Sequence, residues 1–182
     1  MEANQDFEFF NGKDKSRGSK TIGPSSAFHV NQHAWRYIED LPIGAQFECG
    51  NFVFNSEEIV AFAEMYDPQH FHVSVESARE TIFGGLISSS LHTLAACFGI
   101  FVRATSELKS VAGLRLRETE IPRPVRPGAR IDVRAEWVAA RRSRTRPNIG
   151  IVTVEGVALE NGRDVVLRFG ATFMVERRYH GE

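Results

Sequence analysis

The sequence predicts an α+β domain in which an antiparallel sheet wraps around one long helix. Three observations predict it. Residues 86 to about 105 are apolar nearly all round, as a buried central helix is. After Lys109 the pattern changes to stretches with β-branched or alternating apolar residues, 113–121, 129–140, 149–159 and 165–176, separated by Pro and Gly breaks. Asn161-Gly162, between the last two, is a strong short-range hairpin signal. One apolar helix and several consecutive strands cover each other by packing the helix on the sheet.

The composition sets the frame. A chain of 182 residues, 42% hydrophobic and 25% charged, has the make-up of one globular domain with a single core. A net charge of −1 gives no global attraction to nucleic acid or to an anionic membrane. Cys49 and Cys97 lack metal-ligand or redox spacing and read as free thiols in a reducing compartment, so a cytoplasmic location is expected. The N-terminus has no continuous apolar segment of a secretory signal, and the longest apolar run, 94–102, is too short to cross a bilayer.

Residues 1–34 mix polar residues and scattered aromatics without a period and read as a flexible N-terminal extension, with Phe7, Phe9 and Phe10 available to dock; residues 35–182 form the domain. Leu41-Pro42-Ile43-Gly44 is a turn into a strand at 46–54. Asn55 caps a helix with Glu58 three positions on, and Ile59, Phe62, Ala63 and Tyr66 then share one face. That helix stops at Asp67-Pro68, because proline lacks an N–H and disfavours helical dihedrals before it. A short helical piece at 75–80 follows, and Gly84-Gly85 resets the backbone before the central helix.

The break at Pro68 brings an acid, two imidazoles and a bendable backbone together in Asp67-Pro68-Gln69-His70-Phe71-His72. A carboxylate at a helix C-terminus is disfavoured by roughly 0.3 to 1 kcal/mol, so Asp67 is expected to be somewhat more basic than a free aspartate. A carboxylate beside an imidazole can take one proton and deliver another near neutral pH. The first turn of the central helix, residues 88–91, offers unpaired N–H groups to a developing negative charge. Taken alone, Asp67-Pro68 also suits a simple turn, and Ser88-Ser89-Ser90 a simple helix start with no nucleophile elbow around it. His70 and His92 have no acidic or thiol partner at ligand spacing, and no metal is expected.

Three stretches in order carry a family likeness: Phe62-Ala63-Glu64-Met65-Tyr66-Asp67-Pro68-Gln69-His70-Phe71-His72; Phe83-Gly84-Gly85-Leu86-Ile87-Ser88-Ser89-Ser90-Leu91-His92-Thr93; and Arg123-Pro124-Val125-Arg126-Pro127-Gly128 before a strand. Over residues 35–175 the chain resembles the MaoC-like dehydratases, or (R)-specific enoyl-CoA hydratases, which have the hotdog fold. The resemblance implies that Asp67 and His72 hold and activate a water that adds across the double bond of a trans-2-enoyl thioester, and that Gln69 orients their loop. It implies that the backbone around Ser89, Ser90 and Leu91, where the family has a His-Gly-like step, holds the thioester oxygen. Gly85 stands where substrate approaches, although it serves a turn equally well. The substrate would be an acyl-CoA or an acyl-carrier thioester, with coenzyme A as part of the substrate and no separate cofactor, and the protein would pair into at least a homodimer.

Arginines crowd the second half of the chain, ending in Arg141-Arg142-Ser143-Arg144-Thr145-Arg146. Arg144 and Arg146 are candidates for the phosphates of coenzyme A, against a plain solvated hairpin. No aromatic lies between Val138 and Asn148, so the run is not a nucleic-acid platform. Two other readings stay open: a hotdog thioesterase, and a non-catalytic acyl-thioester-binding protein.

Overall fold

The computed structural model describes residues 29–178, so Phe7, Phe9, Phe10 and most of the expected extension lie outside the described residues. Six antiparallel strands form one sheet: β1 (His29–Val30), β2 (Gln46–Val53), β3 (Ser110–Leu116), β4 (Arg130–Arg142), β5 (Ile149–Glu160) and β6 (Asp164–Glu176), in the spatial order β1-β2-β4-β5-β6-β3. Among the described residues the α-helices are α1 (Ser56–Tyr66), α2 (His70–Val73), α3 (Val75–Arg79) and α4 (Ser90–Ala104), with one 3-10 turn at Ile38–Asp40. The sheet begins at His29, upstream of the boundary expected at residue 35. That two-residue strand pairs with Asn51 and Gly50 and leaves no periodic trace in the sequence.

α4 lies in the hollow of the sheet. Its buried residues, Thr93, Cys97, Ile100, Phe101 and Ala104, recur at helical spacing and face Trp137 of β4 and Phe169 and Phe173 of β6. The helix is not buried all round as its composition implied: Leu91 and Val102 are exposed on the other side. It also starts later than expected. Residues 86–89 are extended because Ile87 N–H donates to Phe71 O (3.3 Å) and Ser88 N–H to Val125 O (2.8 Å), bonds that a helix at those residues would forgo. Gly156 on β5 is required by packing, since a Cβ there would stand 2.2 Å from the Phe169 ring.

The hairpin at Asn161-Gly162 forms as expected, with left-handed backbone at both residues (φ 50° and 71°). Asn55 caps α1, its side chain accepting from Glu58 N–H (2.8 Å). β3 covers 110–116 rather than 113–121. Beyond Leu116 the backbone ladder with β6 thins to Arg117 N–H donating to Gly170 O and a bridge between Glu120 and Arg168, because Pro122 and Pro124 cannot donate to a ladder, and the Arg123–Asp164 ion pair (2.6 Å) adds a side-chain contact.

Candidate active site

α1 ends at Asp67, the interruption at Pro68 turns the chain, and α2 begins at His70. His72 N–H donates to Gln69 O (2.8 Å), so the loop closes on itself and carries the His72 ring back toward Asp67. The ring is buried. Its Nδ1 hydrogen-bonds Ile87 O (2.8 Å); a carbonyl only accepts, so Nδ1 carries a proton and Nε2 faces Asp67 Oδ2 at 3.6 Å.

Asp67 has two further partners. Ser89 Oγ donates to Oδ2 (2.5 Å), and Gln69 Nε2 donates to Oδ1 (2.9 Å). The Ser89 hydroxyl, then Gln69, hold the Asp67 carboxyl below the usual aspartate range, with a smaller contribution from His72. This corrects the expectation of a more basic Asp67. The unfavourable end of α1 is outweighed by the Gln69 bond together with one hydrogen bond from Ser89, 22 positions away at the favourable end of α4. The carboxylate is an anion that acid titrates with difficulty.

The start of α4 is built by Ser89, whose Oγ accepts from Leu91 N–H (3.1 Å) as the helix N-cap. Leu91 N–H is therefore occupied and does not serve a ligand. Ser90 is exposed, and its N–H, with no acceptor among the described residues, is a donor open to one. Gly85 follows a left-handed Gly84 (φ 64°), and a Cβ on Gly85 would meet only Arg126 Nη1 at 3.4 Å, ordinary contact. The turn needs a glycine at 84, while 85 is open toward the arginine.

Arg126 was not singled out from its sequence context, yet its guanidinium donates to Phe83 O and lies over the Gly84-Gly85 turn. The signal available was its place between the two prolines of Pro124-Val125-Arg126-Pro127, a rigid segment whose Val125 carbonyl anchors Ser88. Arg144 and Arg146 lie in the connection between β4 and β5. The loop next to the site leads into the first residue of β4, and the arginines follow its last, after 13 residues that cover roughly 43 Å of strand.

Two histidines stand apart from the dyad. His70 is exposed at the start of α2. His92 stacks on Phe62 (centroids 4.6 Å apart, 9° between planes) and packs edge-on to Phe54, its Nδ1 sealed from solvent without a partner. Burial lowers its pKa to about 4. Burial also raises both thiols, Cys49 to about 12, so neither is a nucleophile at neutral pH. Among the described residues no three His, Cys, Asp or Glu side chains gather as a metal would need, and no helix is long and apolar enough to cross a membrane.

A sheet curled around one helix, with an acid–imidazole pair at that helix's N-terminus, defines a hotdog-fold protein. Residues 30–158 match the family model described as MaoC like domain, and the chain belongs to that family. A MaoC-like dehydratase from Rhodospirillum rubrum is 34% identical, with 79% of this chain and 99% of that one aligned at a TM-score of 0.72. The R-hydratase PhaJ1 from Pseudomonas aeruginosa is 16% identical over 80% of this chain and 92% of that one (TM-score 0.64), a likeness of fold. The same holds for RV0216 of Mycobacterium tuberculosis, described as a double hotdog fold, at 17% identity over 82% of this chain and 46% of that one (TM-score 0.72).

Proposed function

We propose that this protein is a hydro-lyase that interconverts a trans-2-enoyl thioester and its 3-hydroxyacyl thioester. The observation that carries the reading is the facing pair of Asp67 Oδ2 and His72 Nε2, 3.6 Å apart beside the first turn of α4. With Nδ1 committed to Ile87, a neutral His72 turns a lone pair toward an anionic carboxylate. Two acceptors that face each other are satisfied by a molecule with two hydrogens, and a water donating to both keeps its oxygen free to attack C3. As that oxygen bonds to C3, one water proton passes to the Asp67–His72 pair, and the pair returns one proton to C2, so that H₂O adds in sum. Negative charge builds on the thioester oxygen in between, and the Ser90 N–H at the positive end of α4 is the donor for it.

The substrate carries its own coenzyme A or carrier arm, and the chemistry needs no separate cofactor. Both cysteines are buried free thiols, in keeping with a cytoplasmic protein. We read the working unit as a homodimer: β3 is an edge strand whose seven residues are all exposed, including Val111, Leu114 and Leu116, and a second copy would both extend the ladder and cover this apolar face.

The test is chromatography of the products after incubation with short and medium trans-2-enoyl-CoA. A 3-hydroxyacyl-CoA is the predicted product. Free coenzyme A would mean thioester hydrolysis instead, and tight binding without turnover would mean a carrier of acyl thioesters.

A further inference from the structure

Asp67 is held from two sides that differ in kind. Gln69 reaches Oδ1 from an exposed position on the same loop. Ser89 reaches Oδ2 from a side chain with no accessible surface, at the head of a different helix. A hydroxyl owns a single proton, and Ser89 places it on Asp67 while accepting from Leu91 N–H (3.1 Å). The chain Leu91 N–H, Ser89 O–H, Asp67 Oδ2 therefore runs in one direction from the N-terminus of α4 to the carboxylate. Protonating the carboxyl would weaken the acceptor on which the buried Ser89 hydroxyl proton rests.

We propose that Ser89 is a positioning residue for the reaction, whose hydroxyl fixes the Asp67 carboxyl with Oδ2 turned toward His72 and keeps it ionised. The kinetic part rests on the hydratase reading above; the hold on Asp67 does not. Ser89 thereby acts through its side chain, whereas the family likeness gave this step a role only through its backbone. It also fits the same oxygen being the one that faces Nε2 at 3.6 Å. Loss of the hydroxyl frees the carboxyl to rotate about its remaining bond to Gln69 and makes it easier to protonate.

The experiment compares the wild-type chain with Ser89→Ala and Ser89→Gly, the second because glycine is tolerated at a helix N-cap. Two readouts are taken: the pH profile of kcat/KM for enoyl-CoA hydration, and the titration of the Asp67 carboxyl by ¹³C NMR. Both variants are expected to lose roughly 10²-fold in kcat with KM unchanged, as misplacement of a reacting group does. In both, the acid limb of the profile and the Asp67 titration move together to higher pH. A limb and a titration that stay at their wild-type positions, with rate lost equally at every pH, would overturn the proposal and leave Ser89 as a helix cap only. A wild-type chain that turns over no enoyl thioester, with the Asp67 titration still shifted in the variants, would overturn the hydratase reading and leave the role of Ser89 on the carboxylate standing.

Discussion

Replacing His92 with phenylalanine tests how the two halves of the site are clamped together. The His92 ring sits against Phe62 of α1, the helix that ends in Asp67, while His92 itself belongs to the first turn of α4, next to Ser89. Burial lowers its pKa from an ordinary 6.5 to about 4. Between those values the unfolded chain binds the proton that the fold refuses, so stability rises with pH across that window and is lost as pH falls through it. With those two pKa values the loss between pH 7.5 and pH 5 is about 2 kcal/mol, approaching about 3 kcal/mol below pH 4. Asp67 adds to the acid loss only below the ordinary aspartate range, since its own pKa is lowered, and so does not confound pH 5. Phenylalanine keeps the stack and removes an imidazole nitrogen that is buried without a partner, so His92→Phe is at least as stable as wild type at pH 7.5. Urea unfolding at both pH values measures the effect. The wild type should lose about 2 kcal/mol more than the variant between pH 7.5 and pH 5. Equal losses would mean that the fold does not exclude the proton, and would place the imidazole in contact with water.

Gly156→Ala forces a methyl to within 2.2 Å of the Phe169 ring and should cost about 1 to 3 kcal/mol, read as a lowered thermal midpoint, while the same change in a Phe169→Ala background should cost much less. Arg126→Ala frees the Phe83 carbonyl and the Gly84-Gly85 turn; KM for enoyl-CoA should rise while the unfolding midpoint stays near wild type, and an unchanged KM would make the arginine incidental to the site. Lysine at Val111, Leu114 and Leu116 puts charge on the three large exposed apolar positions of β3 and should convert a dimer to monomer in sedimentation; an unchanged mass would place the interface elsewhere.

The elements that the sequence announces are those fixed by local chemistry. Asn55 begins α1, Pro68 ends it, and Asn161-Gly162 turns β5 into β6, each through its own backbone preference or capping bond. What sequence cannot carry is set by partners far along the chain. Residues 86–89 are as apolar as the helix that follows, and only Phe71 and Val125 draw them out straight. The acidity of Asp67 was misjudged for the same reason: its own helix end is readable from Pro68, whereas the hydroxyl of Ser89 becomes its neighbour only after folding. β1 is too short to show a pattern, and Gly50, with φ of 134° and paired with Val30 where a Cβ would stand 2.1 Å from His29 O, marks the pairing only in three dimensions.

The loss of conjugated enoyl absorbance on mixing with trans-2-enoyl-CoA measures directly whether Asp67 and His72 together add water to an enoyl thioester. Turnover by the wild type, with Asp67→Asn and His72→Ala each folded and reduced by about 10² to 10⁴-fold, is the predicted result. Turnover that survives either substitution, or a wild type that binds acyl-CoA across chain lengths without consuming it, would contradict the account.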